Sequence, residues 1–201
     1  FAVWQGLQIN SLQVLLLYSC IMFIALWWFY NNRVAFLLGL ITLLFFVIVR
    51  AYSFAIATKQ QQLIVYNVPK QQAIDFIAGR NYFFKGDSVL ANTEPLRNFH
   101  LTPSRTLHRI SKLDSLPSLF IHDNFYCFGN KVLLIVDTSL QKPARKLKVD
   151  VVVLSKNAPV SIHQLDNFFE CQQVVIDGSS SPRKTKRWKT DCDRYKIPCH
   201  S

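Results

Sequence analysis

The sequence predicts two transmembrane helices that form a hairpin, followed by a basic α/β domain of about 140 residues. Three observations support this fold class. Ser11–Tyr30 is a run of twenty residues without a charge. A second apolar run covers residues 34–49 and continues past Arg50 to Ala57. All twelve acidic residues and twenty-one of the twenty-three lysines and arginines follow Ala57, so the remainder has the composition of a water-soluble domain.

The two apolar runs predict a membrane hairpin over residues 1–58, with helices at about 11–30 and 34–57. A helix of ~20 residues crosses ~30 Å of hydrocarbon, and in lipid only a helix satisfies its own backbone. The link, residues 31–33, is so short that both outer ends lie on the same side. Aromatic residues typical of interfacial belts flank the first helix: Trp4, Trp27, Trp28 and Tyr30. The alternative is a pair of buried helices in a large soluble protein.

The domain predicted for residues 59–201 carries twenty-one basic and twelve acidic residues, a formal charge of +9. This charge favours anionic partners, either nucleic acid or lipid head groups, without choosing between them. The five cysteines do not have the spacing of a zinc site. Cys192 and Cys199 could pair in an oxidising compartment, but their spacing alone does not establish a disulfide.

Apolar periodicity and turn residues predict antiparallel strands first and a β-α-β-α unit second, with helices against the sheet in a two-layer or sandwich arrangement. The predicted strands are residues 62–68, 73–77, 81–84, 119–128, 131–137, 149–154 and 174–176. The predicted helices are residues 105–112, residues 161–169 with Ser161 as N-cap, and a very basic amphipathic helix at Pro182–Tyr195.

Four short segments, taken in order behind a membrane hairpin, resemble a known family. They are NVPKQQA at 67–73, LIVDTS at 134–139, DVVVLSK at 150–156 and VVIDGSSSPRKTKRWKTDCDRYKIP at 174–198. They are similar to the D-V-G-Q-G-D-A turn, the L-I-D-T-G and D-x-x-x-L-S-H strand ends, and the last strand, loop and helix of ComEC-type competence proteins. These are inner-membrane DNA-uptake channels of natural transformation, and the likeness is closest to a Gram-negative branch.

The resemblance implies a fold, a location and partners. Residues 59–201 would be a degenerate metallo-β-lactamase-like sandwich, truncated at its C-terminus, behind the last transmembrane helices. The chain would be part of a multi-pass protein of a bacterial inner membrane, with the soluble domain in the periplasm. The implied partners are single-stranded DNA, the lipid bilayer, the remainder of the channel and other DNA-uptake components.

The chain departs from the family at the residues that carry metal chemistry. Active members have S-H-x-H-x-D-H after the strand that ends here at Leu154, and those residues hold metal ions that activate water. The segment here reads Ser155-Lys156-Asn157-Ala158-Pro159-Val160-Ser161. The ligand positions are occupied by Lys156, Ala158, Val160 and Ser161, and Pro69 and Gln71 replace the glycines of the first turn. The sequence therefore predicts no enzyme, no catalytic residue, no metal and no cofactor.

Other candidate residues give weaker signals. No two of the five histidines have the spacing of a local metal motif, and His163 is more typical of a helix surface. Asp137, Asp150 and Asp177 follow or lie in predicted strands. They form either a carboxylate cluster at one rim of the sheet or caps of separate turns.

Five cations surround Trp188 in the predicted basic helix: Arg183, Lys184, Lys186, Arg187 and Lys189. Such side chains bind phosphates, and an exposed aromatic ring stacks on single-stranded bases. We therefore expect these five residues to contact DNA or another anion. The alternative is a solvated helix face, or one that rests on lipid head groups, with Trp188 in the core.

The sequence leads to one main functional hypothesis and two rivals. The main hypothesis is the C-terminal, non-catalytic part of a channel that imports single-stranded DNA. The first rival is a membrane-anchored interaction domain unrelated to DNA. The second is a metal-dependent nuclease, which the composition of the loop after Leu154 contradicts.

Overall fold

The computed structural model describes residues 9–113 and 115–201, so Trp4 lies outside the described residues. The chain divides into two compact units. One unit contains the helical hairpin as far as Gln60, together with residues 106–109. The other contains residues 61–105 and 110–201 and forms the α/β domain.

The hairpin consists of α1, Ser11–Tyr30, and α2, Arg33–Lys59. Both helices are long and apolar enough to cross a membrane, with mean hydropathies of 2.0 and 2.6. Asn31 takes a left-handed conformation (φ 47°) and ends α1, and the side chain of Asn32 caps α2 by accepting from the N–H of Val34. At the helix contact Gly39 lies against Ile24, where a Cβ would come within 3.4 Å of the Ile24 side chain. The two long helices predicted from the sequence are thus confirmed.

The first sheet of the domain has four strands in the order β1-β2-β3-β4. Strands β1, β2 and β3 pair antiparallel, and β4 is parallel to β3. Gly79 has φ 59° and makes the turn between β2 and β3. The strands are β1 Gln61–Val65, β2 Ala73–Ala78, β3 Asn81–Gly86 and β4 Ser111–Lys112.

The second sheet has six strands in the order β10-β9-β8-β7-β6-β5. Strands β7, β8, β9 and β10 run parallel to one another, and β5, β6 and β7 form an antiparallel meander. The strands are β5 Leu119–His122, β6 Phe125–Phe128, β7 Lys131–Val136, β8 Leu147–Leu154, β9 Phe169–Ile176 and β10 Cys199–His200. Five helices accompany the sheets: α3 Ser88–Asn92, α4 Glu94–His100, α5 Thr102–Leu107, α6 Ile162–Phe168 and α7 Pro182–Tyr195.

The domain is layered as helices, sheet, sheet and helices. Between the sheets, residues of both share one apolar cluster, in which Phe76 of β2 stacks on Tyr126 of β6 at 5.3 Å between ring centroids. On the outer face of the second sheet, α6 and α7 cover Val152 and Leu154. On the outer face of the first sheet, Leu90 of α3 and other helix residues pack over the start of β2.

Several predicted elements need correction. The single strand predicted at 119–128 is the hairpin β5–β6, because Asp123 takes φ 51° and reverses the chain. The helix predicted at 105–112 is wrong: α5 ends at Leu107, and Ser111 already pairs with β3. The predicted strands at 62–68, 149–154 and 174–176 are β1, β8 and β9 with different limits. The helix predicted at 161–169 is α6, and Ser161 caps it in a capping box with Gln164.

A buried ion pair that the sequence did not predict ties α5 to the first sheet. Asp75 of β2 is fully buried, and the Arg105 guanidinium donates to both of its carboxylate oxygens at 2.8 and 2.9 Å. The Tyr66 hydroxyl also donates to Asp75, and Arg105 stacks on the ring of Tyr82 at 4.1 Å. Burial, with the charge of Asp75, raises the pKa of Tyr66. A buried pair of this kind is destabilising to break, because one charge is left without a partner.

Replacing Arg105 by Leu is expected to lower the free energy of unfolding by about 3–5 kcal/mol. The reason is that the buried carboxylate of Asp75 would lose both guanidinium hydrogen bonds. Urea denaturation of the chain in detergent measures this change. Arg145→Leu, which removes an exposed arginine, is the matched control and should change stability by no more than ~0.5 kcal/mol. Equal losses in the two variants would contradict the role of the ion pair.

Candidate functional site

The candidate site lies at the carboxyl ends of the parallel strands β7, β8 and β9. Ligands of open α/β sheets bind at this edge in general. Asp137 follows β7, Ser155 follows β8 and Asp177 follows β9. Two residues of the first sheet complete the edge, since Gln72 precedes β2 and Asp87 follows β3.

A buried hydrogen-bond chain joins the two sheets at this edge. The Gln72 side-chain amide donates to the Ser155 hydroxyl at 3.0 Å, and this hydroxyl donates to one oxygen of Asp177 at 2.6 Å. The other oxygen of Asp177 accepts from the backbone N–H and the hydroxyl of Ser179. Burial raises the pKa of Asp177 despite these hydrogen bonds. The side chains of Gln72, Ser155, Asp177 and Ser179 are therefore linked by hydrogen bonds within the protein.

Lys156 occupies the first of the four positions at which the resemblance places metal ligands. Its ammonium lies 2.6 Å from a carboxylate oxygen of Asp87, whose other oxygen accepts from the N–H of Gln72. This hydrogen bond to Asp87 raises the pKa of Lys156, and the charges of Asp137 and Asp177 add to it. Burial alone would raise the pKa of Asp87, but the bonds from Lys156 and Gln72 together lower it. A side-chain cation thus faces the carboxylates of this edge.

The residues at the other three ligand positions pack in the core or cap a helix. Ala158 and Val160 are buried in the apolar cluster beneath α7. The Ser161 hydroxyl caps α6 by accepting from the N–H of Gln164. Within residues 9–113 and 115–201, no group of three or more His, Cys, Asp or Glu side chains is placed to hold a metal ion. The four positions thus hold the ammonium of Lys156, two apolar side chains and a hydroxyl that already caps α6. These groups do not fit a divalent cation.

Two further candidates lie away from this edge. Asp150 accepts from the N–H of Val132 at 2.8 Å, at the start of β7, so of the two alternatives for Asp137, Asp150 and Asp177 the single carboxylate cluster is not formed. His163 is exposed on α6, as expected for a residue of the helix surface.

The basic helix α7 has the limits that the sequence predicted, Pro182–Tyr195. Trp188 is 1% exposed and its indole N–H donates to the carbonyl of Val160 at 2.9 Å, so it is a core residue and cannot stack on a base. The Lys184 ammonium donates to the carbonyls of Asn157 and Ala158 and lies 5.1 Å from the Trp188 ring centroid. Burial, and to a smaller extent the charge of Arg187, lowers the pKa of Lys184. Lys184 therefore holds the loop after β8.

The other four of the five predicted cations fall on two flanks of α7. Arg183 and Arg187 border a shallow groove over the Trp188 side of the helix. Lys186 and Lys189 line the opposite groove, which we call the lysine groove. It encloses about 1000 Å³, and its third cation is Lys70. The structure therefore does not bring the five predicted cations to a single surface.

Sequence reasoning did not identify Lys70, which stands between β1 and β2 with φ 62°. Its N–H donates to the carbonyl of Gly178 at 2.9 Å, so the turn lies directly on the loop that precedes α7. A Cβ at Gly178 would come within 2.5 Å of the Asn67 side chain. The glycine after Asp177 was the available signal, because only glycine permits so close an approach.

The chain combines two helices that are long and apolar enough to cross a membrane with an α/β domain built on mixed sheets. The family model of the ComEC C-terminal domain matches residues 63–201, more than half of the chain. The chain belongs to the ComEC family of competence proteins. No curated protein and no solved structure matches it.

Replacing Lys156 by Met is expected to lower the free energy of unfolding by about 1 kcal/mol at pH 7, a modest value because the lysine side chain is 42% exposed. The folded-state pKa of Asp87 lies below its ordinary value of 3.8. The pair therefore stabilises the fold above pH 3.8 and loses this effect as the pH falls through the folded-state pKa. The difference between variant and wild type should shrink accordingly in acid.

Urea denaturation at a series of pH values from 7 down to about 3 measures this difference. Lys142→Met removes an exposed lysine outside the site and serves as the control, with no pH-dependent loss expected. A Lys156→Met deficit that is the same at every pH would show that packing, and not the ion pair, accounts for the loss.

Proposed function

We propose that this chain is the C-terminal, non-catalytic part of an inner-membrane channel that imports single-stranded DNA in natural transformation. Family membership supports the link to DNA uptake, and the two apolar helices support a place in the membrane. The observation that carries the non-catalytic assignment is the loop after β8. There Lys156 pairs with Asp87, and Ala158 and Val160 belong to the core.

The domain is proposed to be a metallo-β-lactamase-like sandwich that keeps its architecture without a metal. Two sheets face each other, helices cover both outer faces, and the loop in question follows the central parallel strand β8. In a metal-holding relative, the cation would offset the carboxylates of this edge. Here Lys156 supplies that positive charge, so the edge is stable as a scaffold.

DNA contact is proposed for the exposed cations that flank α7. In the lysine groove, Lys70, Lys186 and Lys189 are exposed, and the Ser179 to Ser181 segment adds polar groups. Arg183 and Arg187 extend the positive surface on the other flank. Phosphate contacts of this kind require no base recognition and suit a strand of any sequence. Lys184 contributes mainly by holding the loop that borders the groove.

In this proposal the hairpin belongs to the membrane bundle of a multi-pass channel, and the domain lies in the periplasm. The remainder of the channel and other DNA-uptake components would be its protein partners. The rival is a membrane-anchored interaction domain that does not bind DNA. In that case the exposed cations of α7 would rest on anionic lipid head groups, and the salt dependence of DNA binding distinguishes the two.

The triple variant Lys70→Gln, Lys186→Gln, Lys189→Gln is expected to bind single-stranded DNA more weakly and with less dependence on salt. Each phosphate contact on a single strand contributes ~0.7 to the slope of log K against log salt, so the slope should fall by about two units. Fluorescence anisotropy of a labelled oligonucleotide, with the chain in uncharged detergent, measures both quantities at several salt concentrations.

The charge-matched control is Lys142→Gln, Arg145→Gln, Lys146→Gln, which removes three exposed cations from the loop before β8. This control should leave the slope nearly unchanged. If both triple variants lose the same slope, binding is a response to net charge alone. If the wild-type chain shows no salt-dependent binding, the rival interaction domain is the better description.

The purified chain is expected to contain no stoichiometric zinc or manganese and to degrade single-stranded DNA no faster than a buffer blank. The reason is that the loop after β8 presents Lys156, Ala158 and Val160 where a hydrolase needs metal ligands. Elemental analysis of the chain after dialysis, and a gel-based nuclease assay with added metal, test these statements. One tightly bound metal ion per chain would contradict the assignment.

A further inference from the structure

Two cysteines meet where α7 is followed by the last strand. Cys192 is fully buried on the core face of α7, and Cys199, seven residues later, is half-buried at the start of β10. Both belong to the apolar cluster that α7 forms with the second sheet. Both are free thiols that pack in this one cluster, and each perturbs the pKa of the other. The two thiols are therefore direct neighbours in the folded chain.

The backbone between the two cysteines fixes this contact. Lys196 takes a left-handed conformation (φ 56°) and ends α7, and the N–H of Ile197 donates to the carbonyl of Cys192 at 3.0 Å. The carbonyl of Pro198 then accepts from the N–H of Val174 at 2.8 Å, which places Cys199 opposite Val174 of β9. Because hydrogen bonds hold the chain on both sides, the backbone keeps Cys192 and Cys199 next to each other in the same apolar cluster.

We propose that Cys192 and Cys199 form a disulfide that fastens β10 to α7. The oxidant is the disulfide of a thiol–disulfide oxidoreductase or of oxidised glutathione. The Cys199 thiolate attacks it, forming a mixed disulfide and releasing one thiolate. The Cys192 thiol then loses its proton and attacks Cys199, which expels the second thiolate. In total the two protein thiols lose two electrons and two protons, and the oxidant's disulfide takes them up and becomes two thiols.

The order of these two steps follows from exposure and charge. Cys199 is the more accessible thiol, and the neighbouring Cys192 thiol lowers its pKa. The neighbouring Cys199 thiol, together with burial, raises the pKa of Cys192, which suits the later, internal step.

Cys171 of β9 is the nearest competing thiol. It belongs to the partly buried rim of the same cluster, and burial raises its pKa, so it is a poor nucleophile. Cys20 is in the hairpin and Cys127 is exposed on β6. Neither contributes to the cluster that holds Cys192 and Cys199.

The disulfide would have a definite structural effect. Strand β10 has two residues and lies at the edge of the second sheet, where β9 is its one partner among the described residues. So short a strand is stabilised little by its own hydrogen bonds to β9. If β10 detached, the backbone groups at the edge of β9 would be exposed. A covalent link to α7 keeps it in place, whether or not the domain binds DNA.

Tryptic peptide mapping of the full chain in detergent tests the pairing directly. Trypsin cuts after Lys189, Arg194 and Lys196, so Cys192 and Cys199 fall on the separate peptides 190–194 and 197–201. After treatment with oxidised glutathione and blocking of free thiols, mass spectrometry should find these peptides joined. Reduction before mapping should separate them. Because this test uses the wild-type chain, it does not depend on the folding of any variant.

Cysteine variants show whether the link acts on stability. Oxidation of the wild type and of the control Cys171→Ser should raise the thermal midpoint of the domain by about 5–10 °C. Oxidation should not raise the midpoint of Cys192→Ser or of Cys199→Ser. Absence of the joined peptides under oxidising conditions, or joining of either peptide to the one that contains Cys171, would overturn the proposal.

Discussion

A buried carboxylate at the edge of a parallel sheet must be supplied with hydrogen-bond donors, and much of this domain is arranged around that requirement. Asp177 follows β9, and burial makes its negative charge costly. Ser155 supplies one donor from the end of β8, and Ser179 supplies two from the loop before α7. Gln72 then extends the chain of hydrogen bonds to the first sheet. Two sheets and the loop before α7 are thereby tied together at one point.

The position of α7 depends on the same edge. The loop after β8 has its carbonyls bonded by Lys184 and by the indole of Trp188, so α7 and this loop hold each other in place. Gly178 lets the turn that carries Lys70 approach the loop before α7. The lysine groove is the space left between that turn and the helix. Its cations are thus positioned by the polar contacts at the edge of the second sheet.

The sequence predicted those elements whose signal is local. The limits of α7 follow from a proline at its start and an amphipathic pattern, and β7 and β8 follow from buried apolar runs. The turn at Asp123 was missed because an Asp-Asn pair between two apolar stretches gives only a weak turn signal. The helix predicted at 105–112 failed because Arg109 takes φ 53° and the chain turns into β4.

The candidate site was predictable only in part, because several of its contacts join residues that are far apart in sequence. Residue types identified the loop after Leu154 as unsuited to a metal, since Ala158 and Val160 have no donor atom. Partners far apart in sequence were not visible, and Lys156 pairs with Asp87 across more than sixty residues. Arg105 and Asp75 are likewise thirty residues apart. The spacing of the cations within α7 also could not show that the Lys184 ammonium donates to the carbonyls of the loop after β8. Nor could it show that Lys186 lines the lysine groove.

The charge balance of the edge connects the loss of metal ligands with the proposed contact to a polyanion. Asp87, Asp137 and Asp177 act on Lys156, and Asp177 also lines the lysine groove. Unopposed carboxylates beside the groove would repel a phosphate backbone. Lys156 offsets part of that charge from within the fold, and Lys186 and Lys189 remain exposed on the outer side. Under the proposed function, a strand of DNA would meet the exposed cations of the lysine groove beside a loop whose side chains do not fit a metal ion.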